Sequence, residues 1–582
     1  MFCSRRSLKA DPRRGEDKPT SAALRLENVQ PDARMLADLS PGFAIQNCLA
    51  PLRRAGAVTL VAAPDRAVFT AHRARLEAAL GPVAHIANTE NGIRFNLAAE
   101  CGPSMGSKAS RYTSLRESCR NWSGKRTAAL LTLFGSLCVF GVTIAPQLML
   151  VLLTVWATLT LVGVCGLRTA GAIRQLRNSR AFGETWHSHR PKSLKERDYP
   201  RLSLLVPLFR ETDIVDRLVK RLSRLEYPRS RLEVLLILEH GDTATAATIG
   251  NSELPNWFRV VVVPPGHPQT KPRALNYALD HAKGEIIGVY DAEDAPAPYQ
   301  LRTVAETFAT ADPNVACLQG VLDFYNARST WLTRCFAIDY ATWFRLVLPG
   351  LVRLGFVIPL GGTTVFFRRD ILEKVGRWDA HNVTEDADLG IRLARRGYRT
   401  EFISSVTLEE ATATVPTWIR QRSRWIKGYF MTWAVHMRQP IRLLRELGLK
   451  RFIGFQILFF GTLSQFVLAP FLWSFWLVLL GFPHPLPGIV PWSMVVILGA
   501  TFLLCEVATV TTLALAVATP RHHGLIWWVP LMHIYFPLSA FASWKAIWEM
   551  MVRPFYWDKT SHGGKFSQPK RHWHQRLLPH RA

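Results

Sequence analysis

Apolar residues are concentrated in two blocks of the chain. From Thr127 to Leu167 no charged residue occurs, and Lys125-Arg126 and Arg168 flank the stretch. One helix needs about 20 residues to cross the hydrocarbon layer. Residues 127–167 therefore predict two transmembrane helices, with the turn at Ala145-Pro146-Gln147. Phe452 to Cys505 is also free of Asp, Glu, Lys and Arg, and FPHPLPGIVP at 482–491 punctuates it. Apolar character resumes to Pro520, breaks at Arg521-His522-His523-Gly524 and runs on from Leu525 to Trp544. Residues 451–552 thus predict transmembrane and interfacial helices, with Phe541 to Val552 of mixed, interfacial character. Glu506 stands inside the apolar run. It either faces a polar pore or caps a helix at the interface.

Between the blocks, over 168–450, short apolar runs alternate with helical stretches. The runs are LSLLVPLF (202–209), LEVLLILE (232–239), FRVVVVP (258–264) and GEIIGVYDAED (284–294). Asp213 to Leu225 and Pro272 to Ala282 read as helices. Continuous apolar β runs between helices predict a parallel sheet covered on both faces. Such sheets bind ligands beyond the carboxyl ends of their strands. Residues 416–437 place Trp418, Ile419, Ile426, Tyr429, Phe430 and Trp433 at helical spacing, which predicts an interfacial helix. Residues 21–100 read as a small α/β domain, with a strand at 55–64 and a helix from Asp65 to Leu80. Residues 1–20 read as a disordered basic tail, 101–126 as a linker and 553–582 as a basic C-terminal segment.

Charge narrows the partners. The chain carries 71 Lys and Arg against 44 Asp and Glu, a net charge of +27. Such an excess suits anionic lipid or a phosphorylated substrate. No zinc-finger, RNP or bZIP pattern occurs, so nucleic acid is not an expected partner. None of the nine cysteines lies in a CxxC pair, so free thiols are expected rather than a zinc site. The first residues have no apolar core and are not a secretory signal. Both flanks of the first apolar block are basic, which puts residues 1–126 and the middle domain in the cytoplasm. The basic C-terminus belongs there too, so an even number of crossings should follow residue 450.

Three clusters carry candidate chemistry. Asp291-Ala292-Glu293-Asp294 follows the run GEIIGV, and oxygen ligands on a strand-end loop suit magnesium or manganese. Thr384-Glu385-Asp386 opens a helical stretch, where a carboxylate can take a hydroxyl proton. An acidic turn or a helix cap would look the same if either stood alone. Gln421-Arg422-Ser423-Arg424-Trp425 offers guanidinium groups for a diphosphate and an indole for a sugar ring.

Together, from Pro200 to Gly428, these clusters resemble the processive, membrane-embedded branch of family 2 glycosyltransferases, which includes cellulose, chitin and hyaluronan synthases. VPLFRE (206–211) resembles the opening VPxxNE element, with Arg210 in the usual Asn place, and TKPRALN (270–276) resembles the element that contacts the nucleotide. Gly361-Gly362 resembles the start of the acceptor-side GGT segment, and QRSRW the Q(Q/R)xRW motif. The resemblance implies a GT-A-type α/β domain inserted between transmembrane helix blocks. It implies Asp386, with Glu385 beside it, as the catalytic pair, Asp386 being the base. Asp291 and Glu293 would hold Mg2+ or Mn2+. Pro207, Glu211, Glu239, Lys271, Asn276 and Asp294 would bind the nucleotide sugar. Gln421, Arg422, Arg424 and Trp425 would face acceptor and diphosphate. In LILEHGD (236–242) only Glu239 matches the usual carboxylate pair, and His240 and Gly241 depart from it.

Pro554 to Gly563 resembles the FYWxKTxHG element of a bacterial exopolysaccharide subgroup of the phage-adsorption protein B type, placed like the gating loop of cellulose synthase. By that resemblance Trp557, Lys559, Thr560 and His562 close over the diphosphate. Residues 21–100 resemble the N-terminal domain of type II secretion ATPases, whose relatives include cyclic di-GMP binders. No P-loop occurs, so a regulatory domain is implied, with cyclic di-GMP or other envelope biosynthesis proteins as its partners. The expected function is inverting transfer from a UDP-sugar to a growing polysaccharide, at the cytoplasmic face of a bacterial inner membrane, by a multi-pass protein that also exports the product. The alternatives are a non-processive transferase acting on a lipid carrier and an inactive envelope or phage-receptor scaffold.

Overall fold

The computed structural model describes residues 30–178 and 194–556. The chain divides into two compact units, at Cys101. In the first, β1 (Ala50–Ala55) pairs antiparallel with β2 (Val58–Ala63), which pairs parallel with β3 (Val83–Ala87). The Arg66–Leu80 helix makes the β2-to-β3 crossover, and the Asp65 carboxylate caps it by accepting from the Val68 amide at 2.7 Å.

The second unit is built on eight strands. They are β4 (Leu202–Leu208), β5 (Leu232–Glu239), β6 (Phe258–Val263), β7 (Ile286–Val289), β8 (Ala295–Pro296), β9 (Val315–Phe324), β10 (Val365–Arg368) and β11 (Arg399–Glu409). Their order is β6-β5-β4-β7-β10-β9-β11-β8. The four apolar runs form β4 to β7 and are mutually parallel, as their composition predicts. The sheet then turns mixed, because β10 runs antiparallel to both β7 and β9. The reversal brings the residues ahead of β10, Gly361-Gly362-Thr363, to the carboxyl end of β7. The Thr364 amide bonds to the Val289 carbonyl there at 2.8 Å.

Among the described residues, four helices are long and apolar enough to cross a membrane: Gly124–Ile144, Pro146–Asn178, Trp331–Arg353 and Trp492–Val517. Two bent pairs, Leu449–Val467 with Ala469–Leu479 and His523–Tyr535 with Leu538–Val552, would bring the total to 6. Trp331–Arg353 differs from the others, since 83% of its apolar window is buried inside the protein. It crosses Pro146–Asn178 where two glycines meet. A Cβ on Gly350 would stand 2.5 Å from the Gly171 carbonyl carbon, so the backbones touch with no side chain between them.

Residues 112–119 pack within this second unit, against the residues that precede the Glu385–Arg395 helix. Ser118 donates to Asp379 Oδ1 at 2.8 Å, the Cys119 amide to Asp379 Oδ2 at 2.7 Å, and Arg377 stacks on Tyr112 at 3.9 Å.

Candidate active site

A cavity of about 700 Å3 opens at the carboxyl ends of β4, β5 and β7. Pro207, Glu211, Glu239, Lys271, Asp291 and Glu293 line it. Arg210, which departs from the expected Asn, takes a left-handed backbone conformation with φ of 55°. Asn tolerates that region better than Arg does. Here Asp242 holds the bend: one oxygen accepts from the Arg210 amide at 2.5 Å and from the Thr245 hydroxyl at 2.7 Å. That hydroxyl in turn accepts from the Glu211 amide at 2.9 Å. Asp242 thus positions this loop, a part that motif matching missed, although it closes the run LILEHGD. Burial pushes the Glu239 carboxyl up, and Arg273, 3.8 Å away, pulls it back.

Lys271 joins three parts of the site. Its ammonium bonds to Asp291 Oδ1 at 2.5 Å and to the Gly362 carbonyl at 2.8 Å. Burial works against the charge, but Asp291, Glu385 and Asp386 outweigh it and raise the pKa. Asp294 sits beneath the DAED loop instead of lining the cavity. It is fully buried, accepts from the Asp291 amide at 2.8 Å and from the Thr363 hydroxyl, and keeps Oδ1 without a partner among the described residues. Burial, then the charges of Asp291 and Glu293, push its carboxyl far up. Glu409, at the end of β11, also lines the cavity and is pushed up by burial and by Asp294, Glu293 and Asp291. It is a second residue that the motifs did not reveal. Excess carboxylate charge on oxygen donors fits a hard divalent cation. Among the described residues, no three such groups already stand in a metal-holding arrangement.

The Glu385–Arg395 helix brings its first turn to the opposite wall. Asp386 accepts from the Ala387 amide at 2.8 Å, and its other oxygen would stand 3.1 Å from a Cβ on Gly362. Glycine there keeps the carboxylate open to the cavity. Burial raises the pKa of Asp386, while Lys271 and Arg424 oppose the shift. Glu385 is pushed up to about 7 by burial and then by the charge of Asp386.

Gln421, Arg422, Arg424 and Trp425 all line the cavity from the Val415–His436 helix. Their roles separate there. Arg424 lies beside Glu385 and Asp386, 3.5 Å from the Val383 carbonyl. Arg422 is paired with Asp339, bonds to the Tyr535 hydroxyl at 2.8 Å and stacks on Trp425 at 4.9 Å. Its guanidinium is taken up by a carboxylate. Trp425 in turn stacks on Tyr340 at 6.2 Å. Asn276 lies away from the cavity. It is fully buried and donates to the Ala109 and Trp378 carbonyls at 2.8 Å each, so it braces the fold beneath the site. Trp557, Lys559, Thr560 and His562 lie outside the described residues, as does the tail at 1–20. The chain reaches Phe555 and Tyr556 at the cavity wall, where Lys427 binds the Tyr556 carbonyl at 2.7 Å.

Residues 200–428, the span that holds every one of these cavity motifs from VPLFRE to QRSRW, match the model of "Glycosyltransferase like family 2". This segment is a family 2 glycosyltransferase domain. Its mixed sheet is of the GT-A kind. The "Probable glycosyltransferase YdaM" of Bacillus subtilis is 28% identical over 273 residues, 46% of this chain and 64% of that protein. The "Beta-monoglucosyldiacylglycerol synthase" of Synechocystis is 30% identical over 274 residues, 45% of this chain and 55% of that protein. The chain therefore spans between half and two thirds of these curated relatives. A solved mannosyltransferase from Pyrobaculum calidifontis, in complex with GDP-Man and Mn2+, superposes loosely. Its TM-score is 0.40 at 18% identity, over 66% of this chain and 99% of that one.

Proposed function

We propose that the protein is an inverting hexosyltransferase that moves a sugar from a UDP-sugar to a growing polysaccharide at the cytoplasmic face of a bacterial inner membrane. One observation carries this reading. The cavity that holds Asp291, Glu293 and Asp386 continues between the apolar helices, where Phe466, Trp473, Trp476 and Phe502 line it. An acceptor can therefore reach the base from the helix side while the donor occupies the strand ends.

In this reading Asp386 takes the proton of the acceptor hydroxyl as its oxygen attacks the anomeric carbon. The nucleoside diphosphate departs from the opposite face. Arg424 and Lys271 stabilise the charge that develops on it. Asp291 and Glu293 would hold Mg2+ or Mn2+, which supplies further charge neutralisation at the diphosphate when bound. Asp294 and Asp242 fix the two loops and touch no substrate. The helices Gly124–Ile144 and Pro146–Asn178 would cross the membrane before the domain. The Leu449–Leu479 pair and Trp492–Val517 would cross after it, and the product would leave between them. A regulatory role of residues 21–100, with cyclic di-GMP or an envelope protein as partner, belongs to the same proposal.

A second reading, transfer to a lipid acceptor, is favoured by the apolar lining at the helix end of the cavity and by the similarity to the Synechocystis synthase. The test supplies membranes with a panel of labelled UDP-sugars, followed by linkage and size analysis of the product. Polymer supports the first reading, and a single sugar on extractable lipid supports the second. An absence of nucleotide release from every donor overturns both.

A further inference from the structure

Glu506 has no role in the chemistry above, yet it is placed at a cost. It stands well inside the Trp492–Val517 helix, whose mean hydropathy is 2.1. A carboxylate in such a helix is expensive unless it faces a cavity or a partner. Glu506 has both. It lines the cavity that also holds Asp386, and His533, from the following bent pair, approaches its Oε2 with Nε2 at 2.9 Å. The other ring nitrogen, Nδ1, lies 3.2 Å from the Pro530 carbonyl. A carbonyl only accepts, so Nδ1 carries a proton; with Glu506 ionised Nε2 carries the other and the contact is an ion pair. The two side chains are 23% and 31% exposed, so the pair is open to the cavity.

Aromatic rings frame this pair. Trp476 meets His533 edge-on at 5.7 Å and Phe502 at 5.4 Å. Trp473 donates its indole N–H to the His533 carbonyl at 3.2 Å. An indole wall beside a carboxylate and an imidazolium matches the two faces of a pyranose ring. The C–H face packs on the aromatic, and the hydroxyls find an acceptor and a donor. An acyl chain would instead leave the ion pair against hydrocarbon with nothing to solvate it. The pair is neutral as a whole, which suits an uncharged sugar.

We propose that Glu506, His533 and Trp476 form a saccharide-binding subsite that holds a sugar ring of the acceptor while the acceptor's terminal hydroxyl lies at Asp386. The proposal rests on the glycosyl-transfer reading and sharpens it: the acceptor is an oligosaccharide, not a bare lipid.

The test uses the full-length protein in lipid nanodiscs. Binding of labelled β-1,4-linked gluco- and manno-tetraose is measured by equilibrium dialysis, UDP binding by calorimetry, and transfer by product sizing with dioleoylglycerol as the competing acceptor. Glu506→Gln is expected to weaken tetrasaccharide binding at least about tenfold, the scale of one lost charged hydrogen bond, with UDP affinity unchanged within about twofold. His533→Ala, checked for monodispersity, serves as the second variant and should act in the same direction. Wild-type affinity in both variants overturns the subsite, as does failure of the wild type to bind either tetrasaccharide. Transfer to dioleoylglycerol without tetrasaccharide binding overturns the subsite and leaves hexosyl transfer standing. Tetrasaccharide binding that depends on Glu506, with no donor consumed, supports the subsite and overturns the transferase reading.

Discussion

His436 donates Nε2–H to Asp388 at 3.1 Å while its Nδ1 accepts from Arg395 at 2.8 Å. Arginine cannot accept, so this fixes a single neutral tautomer. Asp388 lies two residues after Asp386 on the Glu385–Arg395 helix, and His436 ends the helix that carries Gln421 to Trp425. Arg392 completes the pair at 2.7 Å from Asp388, and all three side chains are buried. The Glu385–Arg395 helix, with Asp386, and the Val415–His436 helix, with Gln421 to Trp425, are therefore held in one register. Asp388→Ala leaves the Arg392 charge buried without its carboxylate. The expected loss is about 3–5 kcal/mol of stability, read as a lower midpoint in denaturant melts of the detergent-solubilised protein.

Asp386→Asn keeps the shape of the first helical turn and removes the proton acceptor. Turnover is expected to fall at least about a hundredfold, the usual scale for lost base assistance. UDP affinity by calorimetry should stay near wild type. Turnover equal to wild type would remove Asp386 from the mechanism.

Glu385 has a folded pKa of about 7 against an ordinary value of 4.5. Protonation thus favours the folded state. The stabilisation is complete below about pH 4.5 and is lost as pH rises through about 7. Glu385→Gln lacks this term, so wild type should lose melting temperature relative to the variant over that window. Asp386 must be ionised to act, and burial holds its pKa up. The acid limb of turnover against pH should therefore lie above the ordinary carboxylate range in the wild type.

Gly428 lies where the Val415–His436 helix presses on the TED segment. A Cβ there would stand 2.5 Å from Thr384 Cγ2 and 2.7 Å from Thr384 Cβ. Gly428→Ala must displace Thr384 and, with it, the neighbouring Glu385-Asp386. Overpacking of this kind costs about 1–3 kcal/mol. The variant should show lower turnover with donor affinity little changed, measured alongside its melting temperature.

Topology gives a further check. Accessibility tags at residue 20, residue 300 and the C-terminus should all report the cytoplasmic side, by the basic flanks of the apolar blocks. A periplasmic C-terminal tag would require an odd number of crossings after residue 450.

The half of the sheet from β4 to β7 was legible because β4, β5 and β7 are buried on both faces and read as unbroken apolar runs, as does the edge strand β6 although it exposes Val260 and Val262. β11, RTEFISSVTLE, alternates partly exposed residues and carries no such run, and the β10 reversal leaves no mark in composition. The Trp331–Arg353 helix was hidden because Arg334, Asp339 and Arg345 interrupt its apolar pattern. Two of these find distant partners, Arg345 with Asp323 at 2.9 Å and Asp339 with Arg422. That second pairing is also why QRSRW read as two equivalent arginines: a guanidinium serves a phosphate or a carboxylate equally well, and only the fold says which is present. The placement of Asp291, Glu293 and Asp386 at one cavity was legible because each stands at a strand end or a helix start, where local sequence marks the place. Asp242 and Glu409 also stand at strand ends, but neither falls in a motif, and Asp242 acts on the backbone that follows a different strand, β4.

The glycine-to-glycine crossing of Pro146–Asn178 and Trp331–Arg353 has a mechanical meaning. Two helices that touch backbone to backbone have no side chain to act as a bearing, and neither can roll without a clash. If the first of them is anchored in a bilayer, the second transmits that anchorage straight into the sheet, since it continues from β9. In the proposed reaction the Asp386 carboxylate is then held at a fixed height above the lipid, and each added sugar would have to be pushed away from a stationary point, not carried by a moving one.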